Sequence, residues 1–587
     1  MKKFFNINII LVILFIACLF RFNNLYWDSN FHLHPDERFL TMVGNAMKLP
    51  TSINQYLDQK TSLLNPANIG YNFFVYGRFP LILTKYLAVN LNLDNYNDFT
   101  ILGRQLSAFF DLLIVILIFK TVALLEKLSV RNAYMRSLQN PSTKYWASFI
   151  YAISVLPIQL SHFFAVDTFL NFFMFGSFYF ALRFYVGALR AMPLRYVFFS
   201  AVFFGLALSC KVTAIFILPL NLFFVGFAYL KRPSRIGKYL LLIFIYLGVS
   251  YFTLRLADPY LFQNSNIFDP TISKLFIENI KSLQNMTVKN MDNWFPPMIQ
   301  WLNKNTVLHS VVNNIVFGLG IPYAILALIG TLKVVLSFPS PFGDRLRRES
   351  IPIFIILFWT LGFFVYQSLQ ITPTLRYFIF LYPFFAIFAG IGIEKVINYV
   401  LSIRWKKIIC YMLYVTCFIF LLIWPVMFSS IYLHKNTRVE ASEWIYKNLP
   451  SNSIILGEYW DDPLPLSVLN NYGKQFTIEQ LPVFDQDTTV KWQKMNDMLS
   501  KADYYVLSSN RGWGSIMDTP IKYPLMSKFY NNLLTNKNPN YKKIKEFTSY
   551  PSLKYLGIPL EFPDQWSDEA FTVYDHTKVM IFKNEKK

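Results

Sequence analysis

A succession of apolar stretches, each long enough to cross a bilayer, constrains this chain more than any other feature. The hydrocarbon core takes about 20 residues of helix. Runs of that order fall near residues 4–20, 101–123, 145–161, 166–186, 196–210, 212–230, 237–256, 309–336, 351–368, 376–397 and 408–430. In lipid every backbone N–H and C=O has to be paired within the protein, so such runs read as helices. About eleven transmembrane helices make a polytopic α-helical membrane protein. The composition agrees, with 54% hydrophobic and only 15% charged residues and 60 Phe in 587 residues. Soluble domains carry about 25% charged residues. An ordinary cytosolic enzyme and a disordered chain are both excluded.

The first run stands behind Lys2 and Lys3 and leads into Arg21-Phe22-Asn23-Asn24 with no small-residue cleavage pattern. It reads as an uncleaved first helix with its N-terminus cytoplasmic, rather than as a signal peptide. Alternation then places 124–144, 187–195, 231–238, 337–350 and 395–407 inside. These loops carry Lys127, Arg131, Arg136, Lys144, Arg190, Arg195, Lys231, Arg232, Arg235, Lys238, Arg345, Arg347, Arg348, Lys395, Arg404, Lys406 and Lys407. Every short basic loop lands on one side, as the positive-inside rule requires. That accounts for the net charge of +21 without a nucleic-acid partner. It also favours a helix break at Lys211, because counting 196–230 as one span would flip every later loop.

The expected organisation is a transmembrane body, 1–430, in the inner (plasma) membrane, with long outer loops near 21–100 and 257–308. An extracytoplasmic segment follows, 431–587, with no spanning run. Short strands are expected at Ser453–Glu458, Tyr504–Ser508, Tyr541–Phe547 and Phe571–Phe582, and a helix turn or two at Ala441–Asn448, which makes a small α/β domain. Cys18, Cys210, Cys410 and Cys417 all lie in apolar runs without metal-ligand spacing and read as buried small hydrophobes.

The first outer loop concentrates chemistry in Phe31-His32-Leu33-His34-Pro35-Asp36-Glu37-Arg38-Phe39. Pro followed by two acidic residues is also a plain helix start, favoured by the helix dipole. Its place at a membrane rim argues for more, since ionisable groups there are costly and mark function. Asp167, Lys211, Arg104 and Arg376 are expected at the same outer face. A carboxylate pair and three cations at one rim suit an anionic ligand with a reactive centre beside it. Each has a plain reading too. Arg104 and Arg376 can snorkel, Lys211 can cap a hairpin, and Asp167 can cap a helix. His162 and His32 read first as structural histidines, and His34 stands between the two readings. Glu458-Tyr459-Trp460-Asp461-Asp462-Pro463 can bind sugar hydroxyls or make a solvated turn. Tyr574-Asp575-His576 reads as a hairpin turn. Asp292-Asn293-Trp294-Phe295-Pro296-Pro297 can cover a site or anchor at the interface. No G-x-G-x-x-G or Walker-A motif is present.

Taken in order, several of these pieces resemble the GT-C class of integral-membrane glycosyltransferases. They are similar above all to the branch of protein O-mannosyltransferases and lipid A aminoarabinose transferases. The pieces are His34-Pro35-Asp36-Glu37, Gly103-Arg104-Gln105-Leu106-Ser107, Val166-Asp167-Thr168, Gly205-Leu206-Ala207-Leu208-Ser209-Cys210-Lys211 and Arg376-Tyr377 with Tyr382-Pro383, over about residues 1–400. The resemblance implies a GT-C-like catalytic body and a polyprenyl-phosphate-linked sugar donor. It places the catalytic acids at Asp36, with Glu37 beside it, and at Asp167. Donor phosphate contacts fall on Lys211, Arg104 and Arg376, and His34 and His162 are separate candidates for a supporting role. The acceptor, a protein, lipid or glycan, does not follow from it. Transfer with inversion is expected, since one displacement by the acceptor needs no enzyme nucleophile. A divalent metal is allowed but not demanded, and no other cofactor is. A transporter or flippase of lipid-linked sugars is the alternative, distinguished by the absence of transfer chemistry.

Overall fold

The computed structural model describes residues 2–129, 142–188, 194–230, 236–286, 296–337, 351–402 and 407–587. Arg131, Arg136, Arg190, Lys231, Arg232, Arg235, Arg345, Arg347, Arg348, Arg404 and Lys406, which carry much of the charge of the loops expected inside, lie outside the described residues. So do Asp292, Asn293, Trp294 and Phe295.

The N-terminal three quarters of the chain is helical, but eleven full spans are not recovered. Among the described residues six helices are long and apolar enough to cross a membrane, or seven if one bent pair counts as a span. Three shorter apolar helices, Asn8–Phe22, Arg195–Leu208 and Val212–Gly226, accompany them. Breaks inside apolar runs account for the difference. The run at 145–161 divides into Thr143–Ala152 and Val155–Ser161. The run at 309–336 bends by 115° at Gly320, whose φ of +85° a side chain would disfavour. The run at 196–230 breaks where expected, with Lys211 in extended conformation after the helix Arg195–Leu208.

The bundle encloses paired charges. Arg21, at the end of the first helix, donates to Asp111 at 2.6 Å and to the carbonyl of Ala152 at 2.7 Å, and all three groups are buried. A buried charge is tolerated only when paired and hydrogen-bonded. Arg21 therefore fixes the first helix against two later ones.

The C-terminal segment holds a mixed five-stranded sheet. Its strands are β1 (Ile454–Glu458), β2 (Thr477–Leu481), β3 (Tyr504–Leu507), β4 (Tyr541–Phe547) and β5 (Val579–Asn584). Their order is β2-β1-β3-β5-β4. β1 runs parallel to β2 and β3, and β5 runs antiparallel to β3 and β4. The expected strands at β1, β3 and β4 are present. β2, largely exposed, was not anticipated, nor were the helices Thr489–Lys501, Arg511–Met517 and Pro524–Leu534. The strand expected to start at Phe571 begins only at Val579. Before it come the short helix Glu569–Thr572 and a turn, so Tyr574-Asp575-His576 is not a hairpin.

This last stretch fastens the sheet to the helices. Gln159 donates to the carbonyl of Phe571 at 2.7 Å, and the Tyr432 hydroxyl donates to Asp575 at 2.9 Å. The His576 ring lies between Asp575 at 2.5 Å and Asp564 at 2.9 Å, all fully buried. Burial works against a charged ring, but the two carboxylates outweigh it and hold His576 up at about 10. Tyr574 is thereby set against His34 in the loop after the first helix.

Candidate active site

The loop after the first helix turns into the helix Pro35–Ala46, with His34 as its N-cap and Pro35 in its first turn. Ring nitrogen Nδ1 of His34 accepts from the backbone N–H of Glu37 at 3.3 Å. The ring packs between Phe163 at 4.6 Å and Tyr574 at 4.2 Å. Burial pushes His34 down to about 4, so the ring is neutral near pH 7 and carries its proton on Nε2.

The neighbouring carboxylates go to different places. Glu37 is buried, accepting from Arg104 at 2.8 and 2.5 Å and from the N–H of Phe164 at 2.7 Å. Arg104 also binds Asp28 at 2.7 Å and lies over the Trp27 ring at 4.9 Å. Asp28 and Glu37 thus enclose Arg104, which is 1% exposed. The rim cation expected at Arg104 is instead a sealed tie between the outer loop and the helix Tyr96–Ser129.

Asp36 remains open, with 26% of its side chain exposed, and is ion-paired with Arg376, 18% exposed. Burial pushes the Asp36 carboxyl up, but the Arg376 guanidinium outweighs it. With help from His34 and a hydrogen bond from the Tyr76 hydroxyl, it holds the carboxyl well below the usual range. Arg376 enters from the 3-10 turn Leu375–Leu381. A second pair lies beside the first. Asp167, in the first turn of the helix Val166–Ala188, is 3.3 Å from the Lys211 ammonium. The Tyr377 ring joins the two, lying 4.5 Å from Lys211 and 5.3 Å from Arg376.

Backbone packing sets this geometry. The Gly77 N–H donates to the carbonyl of Cys210 at 2.9 Å, and a Cβ on Gly77 would lie 2.1 Å from the Ser209 carbonyl oxygen. Only glycine fits there. The contact carries Tyr76 and Lys211, its immediate neighbours, to the same rim. His162 is placed elsewhere. Its two ring nitrogens face the carbonyls of Ile158 and Asn23, and the ring stacks on Tyr432 at 3.8 Å.

A cavity of about 250 Å³ lies between the loop after the first helix and the C-terminal segment. Pro35, Arg38, Arg438, Trp460, Asp462 and Tyr574 are among its walls. Arg38 reaches Asp462 at 3.1 Å, and Arg438 binds Asp461 at 2.8 Å and Asp462 at 3.2 Å. Glu458 sits behind them, accepting from the hydroxyls of Tyr505 and Tyr530 at 2.5 and 2.6 Å.

Of the expected site residues, Asp36, Asp167, Lys211 and Arg376 come together, with His34 alongside. Glu37 and Arg104 form their own buried pair, and His162 is held by backbone. Tyr76, Tyr377 and Tyr574 are not among the expected site residues. Tyr377 was signalled by Arg376-Tyr377, whereas Tyr574 lies 538 positions after Asp36 and nothing local announces it. Among the described residues no three His, Cys, Asp or Glu side chains gather as a metal site.

No family model and no curated protein matches the sequence. Solved structures do match. The archaeal oligosaccharyltransferase AglB from Archaeoglobus fulgidus in its apo form aligns with a TM-score of 0.53 at 12% identity, over 99% of this chain and 89% of that one. The same enzyme in complex with an inhibitory peptide and a dolichol-phosphate aligns at 0.52 and 11% identity, with the same coverage. ArnT from Cupriavidus metallidurans bound to undecaprenyl phosphate covers 99% of this chain and 98% of its own at 11% identity, but a TM-score of 0.43 is too loose to choose a branch. The chain has the fold of the GT-C membrane glycosyltransferases, helical body and C-terminal sheet together.

Proposed function

We propose that this protein is a membrane glycosyltransferase. It moves a sugar from a polyprenyl-phosphate donor to an acceptor hydroxyl at the face that carries Asp36. Residues 1–430 form the catalytic body and 431–587 an extracytoplasmic domain that roofs the site. The observation that carries this reading is the pairing of Asp36 with Arg376 and of Asp167 with Lys211, the two cations lying against the same Tyr377 ring. The AglB complex with dolichol-phosphate supports a lipid-phosphate carrier.

Each residue then has a task. Lys211 and Arg376 take the donor phosphate. Arg376 turns from Asp36 to the phosphate as it binds, which raises the basicity of Asp36 when a base is needed. The acceptor oxygen attacks the anomeric carbon while its proton passes to the Asp36 carboxylate. The bond from that carbon to the phosphate oxygen breaks, and its electron pair stays on the phosphate. The phosphate goes from diester to monoester, and Lys211 and Arg376 neutralise the added charge. A single displacement inverts the sugar carbon. Asp167 holds Lys211 in place. Glu37, Arg104 and Asp28 hold the loop that presents Asp36. Neutral His34, between Phe163 and Tyr574, fixes the start of that helix.

The test is transfer from a panel of radiolabelled polyprenyl-phosphate sugars by the purified chain, with a membrane extract as acceptor, with and without EDTA. Loss of a positioned base costs about 10²–10⁴-fold. Asp36→Asn is therefore expected to release sugar at least about a hundredfold more slowly while still binding donor. Equal release by both proteins would discard Asp36 as the base. Donor binding with no release by wild type would point to transport.

A further inference from the structure

From Lys554 to Leu560 seven consecutive residues, Lys-Tyr-Leu-Gly-Ile-Pro-Leu, are exposed. Tyr555, Leu556, Ile558 and Leu560 show 41%, 56%, 48% and 44% of their surface. So many large apolar side chains side by side on a loop call for a covering partner. The loop is built rather than loose. The Leu553 N–H donates to the carbonyl of Leu560 at 2.8 Å, the Phe562 N–H donates to the carbonyl of Pro551 at 2.9 Å, and Gly557 turns the tip at φ +77°. A Lys554–Glu561 ion pair at 2.6 Å closes its neck.

Its position says what covers it. The root, Leu553, is buried in the same core as the spanning helices. The N–H of Ser552 donates to the carbonyl of Met427 at 3.1 Å, the Tyr555 hydroxyl donates to the carbonyl of Val426 at 3.4 Å, and Phe562 packs on Trp424 at 5.4 Å. Residues 424–427 belong to the last turns of the helix Lys407–Ser429. On that helix Val415 and Ile419 are 58% and 53% exposed, the surface a spanning helix turns to lipid. Spacings of four and seven residues put Val415, Ile419 and Val426 on one helix face. The loop therefore continues the lipid-facing stripe at its upper end.

We infer that the loop Pro551–Phe562 is a membrane-docking element, with Tyr555, Leu556, Ile558 and Leu560 entering the bilayer leaflet on the site face. The charged neck then lies at headgroup level. Because the same stretch of chain goes on to Phe571 and Tyr574, docking would hold the roof over Asp36 from the lipid side. The inference does not depend on the transfer chemistry.

The test replaces the four native cysteines by alanine and places a nitroxide label at Ile558→Cys or, as the aqueous reference, at Asp497→Cys. Asp497 is 60% exposed in an ion pair with Lys501. The full-length chains are reconstituted in phosphatidylcholine vesicles. Collisions with lipid-soluble oxygen and with a water-soluble nickel chelate are then compared. Unchanged elution and unfolding temperature in detergent verify folding of each labelled chain. Docking predicts that oxygen dominates at 558 and the chelate at 497, reversing the ratio between them. A label at 558 as open to the chelate as the one at 497 would overturn the inference. A label shielded from both reagents would also overturn it, showing a protein contact instead.

Discussion

Replacing Arg376 by glutamine tests how the base is controlled. The guanidinium and the Asp36 carboxylate are in direct contact and about a fifth to a quarter exposed. Unit charges about 4 Å apart interact by about 4 kcal/mol at an effective dielectric constant of 20. Solvent screening at this partly open rim reduces that to about 2–3 kcal/mol. At 1.36 kcal/mol per tenfold, the loss of Arg376 raises the proton affinity of Asp36 by about two orders of magnitude. Burial acts in the same direction once the cation is gone. The sign follows from the depressed wild-type group, which stays ionised far into acid. In Arg376→Gln the carboxylate is lost at higher pH, so the acid limb of activity climbs by about two units. The limb should move in kcat/KM, which reports the free enzyme, and less in kcat, because in the donor complex Arg376 has already left Asp36. A lost charge-assisted phosphate contact adds a drop of about 10–100-fold, from the 1.5–3 kcal/mol such bonds contribute. The assay is release of labelled sugar between pH 2 and 9 at varied donor concentration. An active Arg376→Gln enzyme with its kcat/KM acid limb unmoved would refute the control of Asp36 by Arg376.

Further outcomes follow from other side chains. Arg104→Gln leaves Asp28 and Glu37 buried without their cation and is expected to cost about 3–5 kcal/mol of stability. This would be read as a lowered unfolding temperature in detergent, and Arg104→Lys should not restore it, because the fork bonding both carboxylates is lost. Glu37→Gln should lower the unfolding temperature but leave sugar release per folded molecule within a few-fold; a loss as deep as that of Asp36→Asn would make Glu37 the base. His576 is held up at about 10, so its stabilising charge is fully present below an unfolded value near 6.5 and is lost as pH rises through 10. The gap in unfolding temperature between wild type and His576→Gln should therefore be widest below pH 6.5 and narrow towards pH 10, and a gap that is flat with pH would place the charge elsewhere. Gly77→Ala forces a Cβ against the Ser209 carbonyl and should lower sugar release by displacing Tyr76 and Lys211. Full activity in that variant would mean that the contact does not set the site.

What the sequence made legible, and what it hid, follows from range. Membrane character and the break at Lys211 are local: apolar run length and loop charge report them directly. The breaks at Ser154 and Gly320 lie inside runs that remain apolar throughout, so hydropathy counts a span where the backbone turns. Asp167, Lys211 and Arg376 could be singled out because each is a lone charge in an apolar context at a helix end, and Asp36 because it sits in a charged cluster directly after an apolar run. The division of labour between Asp36 and Glu37 was not, because neighbours in sequence carry the same chemistry. Only the helix geometry turns one carboxylate into the bundle and the other towards the rim.

That division also explains why the site needs so many charges. A base at a membrane rim has to stay ionised while surrounded by apolar surface, and a phosphate-binding cation has to stay in place without a ligand. In the proposed mechanism pairing Asp36 with Arg376 does both, since each group solvates the other until a phosphate competes for the guanidinium. The Asp167–Lys211 pair repeats the arrangement 3.3 Å across, with Tyr377 between the two cations. A donor phosphate entering beside Tyr377 would be offered two cations whose partners are already anionic. In the proposed mechanism it gains their contacts only by loosening both pairs, which leaves Asp36 free to accept the acceptor proton. In that mechanism donor binding and base activation are one event. If they were separate, Lys211→Gln would weaken donor binding and leave the pH profile of kcat unchanged. If they are coupled, it should shift that profile as well, because a phosphate held less firmly draws Arg376 away from Asp36 less completely.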